Sequence, residues 1–201
     1  MIQLFGHPVS TCTRKVLTTL AELGIPYELQ VIDFATGEHK QAANLKRQPF
    51  GQVPAINDDG FALFESRAIC RYLNNKAKGH LAPTDIQKLA LMDQWLSVDQ
   101  ANFAPAAMKF IFHYVFKREQ DQATLDNAKA MLETCFGSMT ESLKGNSYLA
   151  GDAFSLADIG FMPYVGYLLN TPVADTIKKY PAIVTWWERV SARPSWQKVS
   201  G

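Results

Sequence analysis

Apolar and polar positions in the first 76 residues follow a strand period and a helix period in turn. The apolar run at 2–6 (IQLFG) predicts a short buried strand. The next segment places its apolar residues at a helical spacing, which predicts a helix from about Thr13 to Leu23. Gly24 suits the C-terminal cap of that helix. Strand, turn and helix therefore form the opening unit.

A second strand and a hairpin extend this pattern. Residues 27–32 predict the second strand, and short apolar runs at 55–57 and 62–64 flank Asp58-Asp59-Gly60. An Asp-Gly pair between apolar runs is a strong hairpin signal. A helical period from Glu65 to about Lys76 closes the unit. The predicted order is βαβ followed by ββα.

The rest of the chain has a helical period only. Residues 77–85 (AKGHLAPTD) contain glycine and proline and predict a linker, and residues 86–201 contain no strand alternation. Within that region Ser155 and Asp158 form a capping-box pattern at a helix start. The prediction is an α/β domain at 1–76 and an all-helical bundle domain at 86–201.

Composition and charge narrow the class of partner. Of the 201 residues, 47% are hydrophobic, which suits a folded globular chain. Twenty basic residues against nineteen acidic ones give a formal charge of +1, so no overall field favours nucleic acid or an anionic membrane. The N-terminus lacks a signal-peptide pattern, and no apolar run is long enough to span a bilayer. We expect a cytoplasmic protein that binds neither nucleic acid nor a membrane.

The three cysteines, Cys12, Cys70 and Cys135, match the spacing of neither a disulfide framework nor a zinc site. A reducing compartment is therefore expected, and no metal site is predicted.

Several motifs occur between the predicted elements in a fixed order. They are Phe5-Gly6-His7-Pro8 with Ser10-x-x-Thr13-Arg14, Gly37-Glu38-His39-Lys40, Pro49-Phe50-Gly51-Gln52-Val53-Pro54, Phe64-Glu65-Ser66-Arg67-Ala68-Ile69, Tyr148-Leu149-Ala150-Gly151 and Phe154-Ser155-Leu156-Ala157-Asp158. In order and spacing they resemble phi-class glutathione transferases over essentially the whole chain. The resemblance implies a thioredoxin-like first domain, glutathione as co-substrate, and attack of its thiol on a hydrophobic electrophile.

Ser10 is the predicted catalytic residue. It lies between the first strand and the first helix, where unpaired backbone N–H groups and the helix dipole stabilise an anion such as a thiolate. Serine at this position also suits a helix N-cap, which is the alternative role. Thr11 and Thr13 are weaker hydroxyl candidates, and Cys12 is the rival because a thiol at a helix N-terminus can be reactive. The segment has no C-x-x-C pair for dithiol exchange.

Glutathione carries two carboxylates and an ammonium, so its site needs at least one cation, one anion and backbone hydrogen bonds. The resemblance implies that His39 and Lys40 lie near the glycine carboxylate. It implies that Glu65 and Ser66 hold the γ-glutamyl end, where Glu65 pairs with the ammonium and Ser66 binds the carboxylate.

The resemblance also implies a cis-proline turn at Val53-Pro54. In that family the backbone of the residue before the proline pairs with the cysteinyl peptide of glutathione like an added strand. Gln52 is expected beside the same peptide. A valine–proline pair taken alone predicts an ordinary trans bond.

Aromatic residues in the helical domain are candidates for the acceptor site in a cleft between the domains. Phe110, Phe112, Tyr114 and Phe116 follow one another on a long predicted helix, and Tyr167 matches a region that faces the electrophile in the resembled family. Alternate positions on a helix point in different directions, so some of these rings belong to the core. We select Phe110, Phe112 and Tyr167 as substrate-binding candidates.

Phe50 precedes the proline turn, where related transferases insert an aromatic side chain into a neighbouring subunit. A homodimer is therefore expected, and packing of Phe50 within its own domain is the alternative.

Two other functions stay open at this point. The same activated thiolate suits glutathione-dependent peroxide reduction, and the same fold suits a non-catalytic carrier of apolar ligands. The sequence does not identify the physiological electrophile, because small changes in a hydrophobic pocket redistribute specificity.

Overall fold

The structure is a computed structural model and describes residues 1–200. It divides the chain into two compact units. The first unit comprises Met1–His80 together with the segment from Pro194 onward, and the second comprises Leu81–Arg193. The helical period of the last segment predicted that it belongs to the helical domain. In the structure its helix packs against the first helix of the chain, a long-range contact that helical periodicity does not report.

Four strands and ten α-helices follow one another in the described residues. In chain order they are β1 (Ile2–Gly6), α1 (Thr11–Leu23), β2 (Tyr27–Val31), α2 (Ala42–Leu45), β3 (Ala55–Asp58), β4 (Phe61–Phe64), α3 (Ser66–Lys76), α4 (Ile86–Val98), α5 (Ala104–Phe110), α6 (Gln122–Leu143), α7 (Leu156–Leu168), α8 (Val173–Ile177), α9 (Pro181–Ser191) and α10 (Pro194–Ser200). A 3-10 turn spans Glu38–Lys40, and π-helical segments span Asp99–Phe103 and Ile111–Val115. The predicted order, βαβ then ββα then helices, is confirmed.

The first unit is built on a four-stranded sheet with the order β2-β1-β3-β4. β1 pairs parallel with β2 and antiparallel with β3, and β3 pairs antiparallel with β4. The register places Phe5, Ala55 and Phe64 in one row across three strands. Gly6 lies opposite Val31 on the outer strand. The chain therefore leaves β1, β2 and β4, and enters β3, at one edge of the sheet.

α1 begins two residues earlier than the sequence predicted. Ser10 caps it, since its side-chain oxygen accepts a hydrogen bond from the backbone N–H of Thr13. Gly24 ends the helix at φ 62°, a left-handed conformation that glycine adopts without steric cost. Apolar residues of α1 and α3 pack together as the core of this unit, where Val16, Leu20 and Leu73 are fully buried.

The second unit is all-helical, as predicted. α4 and α5 are joined through the first π-helical segment, so the chain from Ile86 to Val115 runs as one helix with two wider turns. Its core is aromatic. Phe103 lies 4.7 Å from Phe161 and 6.0 Å from Phe136, measured between ring centroids. All three rings are fully buried.

The predicted capping box begins α7. The two carboxylate oxygens of Asp158 accept hydrogen bonds from the backbone N–H groups of Leu149 and Ser155, from the Ser155 hydroxyl and from the indole N–H of Trp186. Burial raises the pKa of Asp158 above its ordinary value, while these donors oppose that rise. The cap thus ties the start of α7 to α9.

None of the helices formed by residues 1–200 combines the length and the hydrophobicity needed to cross a membrane. Over the same residues, no cluster of His, Cys, Asp and Glu side chains is arranged to hold a metal ion.

Candidate functional site

The motif residues of the first unit meet at one edge of its sheet. Ser10 follows β1, the Glu38–Lys40 turn follows β2, Val53 and Pro54 enter β3, and Glu65 follows β4. The strand order then places a basic segment beside Ser10 on one side and an acidic residue beyond the proline turn on the other. The register between strands, rather than proximity in sequence, assembles this site.

Ser10 has the helix-cap role that the sequence left open as the alternative, and its geometry is compatible with the predicted catalytic role. Its Oγ accepts the backbone N–H of Thr13 at 3.3 Å, and its own N–H donates to the carbonyl of His7 at 2.9 Å. These bonds fix the half-buried side chain at the N-terminus of α1. Among residues 1–200, the Ser10 hydroxyl donates no hydrogen bond. A serine that caps a helix through its lone pair can donate its hydrogen to an anion at the same time.

The other side chains of the first turn are less suited to this role. Thr13 is fully buried, and its Oγ1 accepts the backbone N–H of His7 at 3.3 Å. Gly6 allows this packing, because a methyl group there would lie 2.7 Å from the Thr13 side chain. Thr11 is also buried. Cys12 is half-buried and not part of a disulfide, so it stays the rival of Ser10.

The segment after β2 forms a compact turn with an aromatic face. Phe34 stacks on His7 with 5.0 Å between ring centroids and contacts the His39 ring edge-on at 5.2 Å. Nδ1 of His39 is buried with no hydrogen-bond partner. The ammonium of Lys40 donates to the carbonyl of Phe50 at 2.9 Å and stays exposed to solvent. The segment thus presents the Lys40 ammonium at this side of the site, with the half-buried His39 ring beside it.

Two buried amide side chains that sequence analysis missed hold this segment to the proline turn. Nδ2 of Asn44 donates to the carbonyl of His39 at 3.0 Å and to that of Gln52 at 3.4 Å. Oε1 of Gln48 accepts the backbone N–H of Gln52 at 3.0 Å. Asn44 and Gln48 are each 2% exposed. Polar residues in a short polar segment gave no signal of this burial.

The turn before β3 has the conformation that the resemblance implied. The Val53–Pro54 peptide bond is cis. Val53 is half-buried and Gln52 is exposed at the edge of the sheet. Gly51 precedes them at φ 60°, and a methyl group there would lie 2.6 Å from Cδ of Lys40. Only glycine lets Lys40 pass this close to the backbone.

Glu65 and Ser66 start α3. Glu65 has φ 71° and ψ 108°, a conformation that costs a non-glycine residue about 1 to 3 kcal/mol. Its side chain is exposed, while Ser66 is 3% exposed in the first turn of the helix. Backbone strain at a charged, exposed residue is typical of functional sites.

The aromatic candidates of the second unit separate into two groups. Measured between ring centroids, Phe112 lies 6.2 Å from Phe116, and Phe116 lies 5.7 Å from Tyr167. These three half-buried rings form an aromatic cluster. Phe110 is 5% exposed and stacks on Tyr114 at 6.2 Å. Phe110 is therefore a core residue of this unit and is not a member of the cluster. Phe116 is not among the substrate-binding residues predicted from sequence, because its place depends on the π-helical turn.

Comparisons with known proteins identify the family of the chain. The family models for the N-terminal and C-terminal domains of glutathione S-transferase match residues 1–75 and 103–194. Glutathione S-transferase F12 of Arabidopsis thaliana is 35% identical over 207 residues, which cover 99% of this chain and 97% of that protein.

Solved structures resemble the chain over its whole length. Glutathione transferase F7 from Populus trichocarpa superposes with a TM-score of 0.94 at 36% identity, covering 100% of this chain and 98% of the other. Glutathione S-transferase I from maize, whose structure holds an atrazine glutathione conjugate, superposes with a TM-score of 0.91 at 35% identity, covering 99% and 96%. The chain therefore belongs to the glutathione S-transferase family, with a thioredoxin-like first unit and a helical second unit, as its phi-class motifs imply.

Proposed function

We propose that the protein conjugates glutathione to hydrophobic electrophiles and that Ser10 activates the thiol. The observation that carries this proposal is the position of the Ser10 hydroxyl. Its oxygen is held by the N–H of Thr13 at the N-terminus of α1, and its hydrogen remains available to an anion. A sulfur atom placed there receives one hydrogen bond and the positive end of the helix dipole.

The expected effect on the thiol is sufficient for catalysis at neutral pH. A free thiol of the cysteine type has a pKa of about 8.5, so most of it is protonated and unreactive. A hydrogen bond to a charged group is worth about 1.5 to 3 kcal/mol, which lowers the thiol pKa by roughly one to two units. Ser10 thereby converts a substantial fraction of bound glutathione to the nucleophilic thiolate.

The order of charges along the sheet edge fits glutathione in one direction. The exposed ammonium of Lys40 and the ring of His39 suit the glycine carboxylate. At the far side the carboxylate of Glu65 suits the γ-glutamyl ammonium, and the N–H and hydroxyl of Ser66 suit its carboxylate. Neighbouring strands are about 4.8 Å apart, so β2 and β4 are separated by about 14 Å, and an extended tripeptide spans about 10 Å. Side chains that reach inward cover the difference.

The middle of the cofactor lies between these ends. The backbone of Val53 offers a C=O and an N–H to the cysteinyl peptide, as an added strand would receive them. Gln52 is exposed beside it and offers an amide side chain. Such pairing fixes the sulfur opposite Ser10 and so removes orientational freedom before the reaction.

In the chemical step the thiolate sulfur supplies the electron pair of a new C–S bond. The bond from the same carbon to its leaving group breaks, and the leaving group departs with that bonding pair. The aromatic cluster of Phe112, Phe116 and Tyr167 provides an apolar surface for the electrophile.

We also infer that the protein is a homodimer in the cytoplasm. Phe50 is 62% exposed, which is uncommon for a ring that packs within its own domain. In the second unit a groove of about 610 Å³ between α4 and α6 presents Leu91 and Met131 to solvent. A second copy is the proposed partner for both apolar surfaces. Three cysteines without a disulfide fit a reducing compartment.

The test compares wild type, Ser10→Ala and Cys12→Ala in turnover of a halo-aromatic electrophile with glutathione. Each protein is also checked for glutathione binding and for mass in solution. We expect Ser10→Ala to bind glutathione and lose most turnover, while Cys12→Ala keeps both. Loss of turnover in Cys12→Ala alone would refute the serine mechanism.

A further inference from the structure

The second π-helical segment ends in a turn that fixes one arginine. Lys117 follows the helix at φ 55°, and the N–H of Arg118 donates to the carbonyl of Phe112 at 2.8 Å. This resembles a Schellman C-terminus, in which the left-handed residue is usually glycine, but the bond reaches back six residues instead of five because the helix ends in π geometry. The ammonium of Lys117 donates to the carbonyl of Tyr114 at 2.9 Å, so it is engaged with the same turn.

Arg118 occupies the position that an apolar residue usually takes at such a helix end. In a Schellman motif that residue frequently packs against the third- or fourth-last residue of the helix. Here the guanidinium carbon of Arg118 lies 5.3 Å from the ring centroid of Phe112. Backbone and side chain therefore anchor this cation to a ring of the aromatic cluster.

The guanidinium has no anionic partner among residues 1–200. Arg118 forms no ion pair within 4.0 Å, and its side chain donates no hydrogen bond to the protein. The carboxylate of Asp121, three residues on, is occupied by the N–H and hydroxyl of Thr124 at 2.8 and 2.7 Å. An arginine stays charged at all physiological pH values. A full positive charge thus remains available beside an apolar surface.

We infer that Arg118 makes the acceptor site selective for aromatic electrophiles that carry a carboxylate. The ring of such a substrate packs on the aromatic cluster, and its carboxylate receives the fork of N–H groups of Arg118. This inference rests on the proposed function and names the substrate class of that same site. An acceptor without the anion makes only the apolar contacts.

The experiment uses two acceptors that differ by one group. One is 1-chloro-2,6-dinitrobenzene, and the other is 4-chloro-3,5-dinitrobenzoate, which adds a carboxylate opposite the chlorine. In both, the glutathione thiolate forms a C–S bond at the ring carbon that bears chlorine, and chloride leaves with the C–Cl electron pair. The kcat/KM ratio of benzoate to benzene is measured in wild type and each variant, so the different intrinsic reactivities cancel.

Three variants separate charge from structure. Arg118→Met keeps an unbranched side chain over Phe112 and removes the charge, and Arg118→Lys keeps the charge without the fork. The matched control is Arg189→Met, since the guanidinium of Arg189 also lies over a ring, Tyr148, at 5.6 Å in the same unit. The control changes net charge equally.

We expect Arg118→Met to lower the ratio about fivefold or more through a higher KM for the benzoate, because the charged contact is partly exposed. Arg118→Lys should recover part of it, and Arg189→Met should leave it unchanged. Added salt should lower the wild-type ratio and leave that of Arg118→Met unchanged. An unchanged ratio in Arg118→Met would overturn the inference. If kcat/KM fell equally for both acceptors, Arg118 would act in helix capping alone.

Binding of two conjugates separates this inference from the proposed function. S-benzylglutathione and its carboxybenzyl counterpart are titrated into wild type and Arg118→Met by calorimetry. Tighter binding of the carboxylated conjugate that depends on Arg118, without turnover of either acceptor, would contradict only the proposed function. Turnover of the neutral acceptor without any Arg118-dependent preference would contradict only this inference, and binding of neither conjugate would contradict both.

Discussion

Asn44→Ala should weaken glutathione binding more than it slows the chemical step. The amide of Asn44 joins the carbonyl of His39, at 3.0 Å, to that of Gln52, at 3.4 Å. It therefore aligns two segments that we propose to bind glutathione, and it does not contact Ser10. Loss of alignment between these segments should therefore weaken glutathione binding more than it disturbs the position of the thiol at Ser10.

The size of the effect follows from two buried hydrogen bonds, one of them long. Each contributes about 0.5 to 1.5 kcal/mol, so about 1 to 2 kcal/mol is lost in total. If most of that free energy is lost from glutathione binding, KM for glutathione rises roughly 5- to 30-fold. If it is lost from the free energy of unfolding instead, the midpoint of thermal unfolding falls by about 2 to 8 °C for a chain of this length.

The assay is steady-state turnover with glutathione varied at a saturating acceptor, together with thermal unfolding of each protein. Asn75→Ala is the matched control, because Asn75 is an exposed asparagine of the same unit. A raised KM with a nearly unchanged kcat is expected for Asn44→Ala and not for the control. A lower kcat at unchanged KM would refute the reasoning, because it would mean that Asn44 acts on the transition state.

Two further predictions concern the stability of the fold, and a third concerns the contact between Gly51 and Lys40. Asp158→Ala leaves three buried N–H donors unpaired and should destabilise the fold by about 3 to 5 kcal/mol in denaturant unfolding; a loss under about 1 kcal/mol would contradict the role of the cap. The Lys76 ammonium lowers the pKa of Asp58, so that carboxylate stabilises the fold above pH 3.8 and its contribution is lost as pH falls through the lowered pKa. In Asp58→Asn the free energy of unfolding should therefore fall less steeply as pH is lowered. An unchanged pH dependence would mean that the Asp58–Lys76 pair does not contribute to acid unfolding. Gly51→Ala places a methyl group against Lys40 and should raise KM for glutathione, with an unaltered KM contradicting the close approach.

Local rules predicted most of the first unit. Gly24 was expected to end α1 and does so at φ 62°. The Asp-Gly turn was expected to join β3 and β4, and Gly60 lies in it at φ 98°. Ser155 and Asp158 were expected to form a capping box and do. In each case the residues that decide the structure lie within four positions of one another, so their effect can be read from sequence.

Other features depend on contacts that periodicity cannot report. Asn44 and Gln48 look like solvated residues in a polar segment, and their burial depends on the turn that carries Gln52. Phe116 joins the aromatic cluster because the helix widens to π geometry before it ends. Phe110 was selected as substrate-binding, yet its position on the same helix makes it a core residue.

The pKa of the glutathione thiol in the complex tests the central claim most directly. It is obtained from the ultraviolet absorbance of the thiolate across a pH titration of wild type, Ser10→Ala and Cys12→Ala, each saturated with glutathione. The account predicts a pKa one to two units below the free value of about 8.5 in wild type and Cys12→Ala, and a return toward that value in Ser10→Ala. The same lowered pKa in Ser10→Ala as in wild type would contradict the assignment of Ser10 as the residue that activates the thiol.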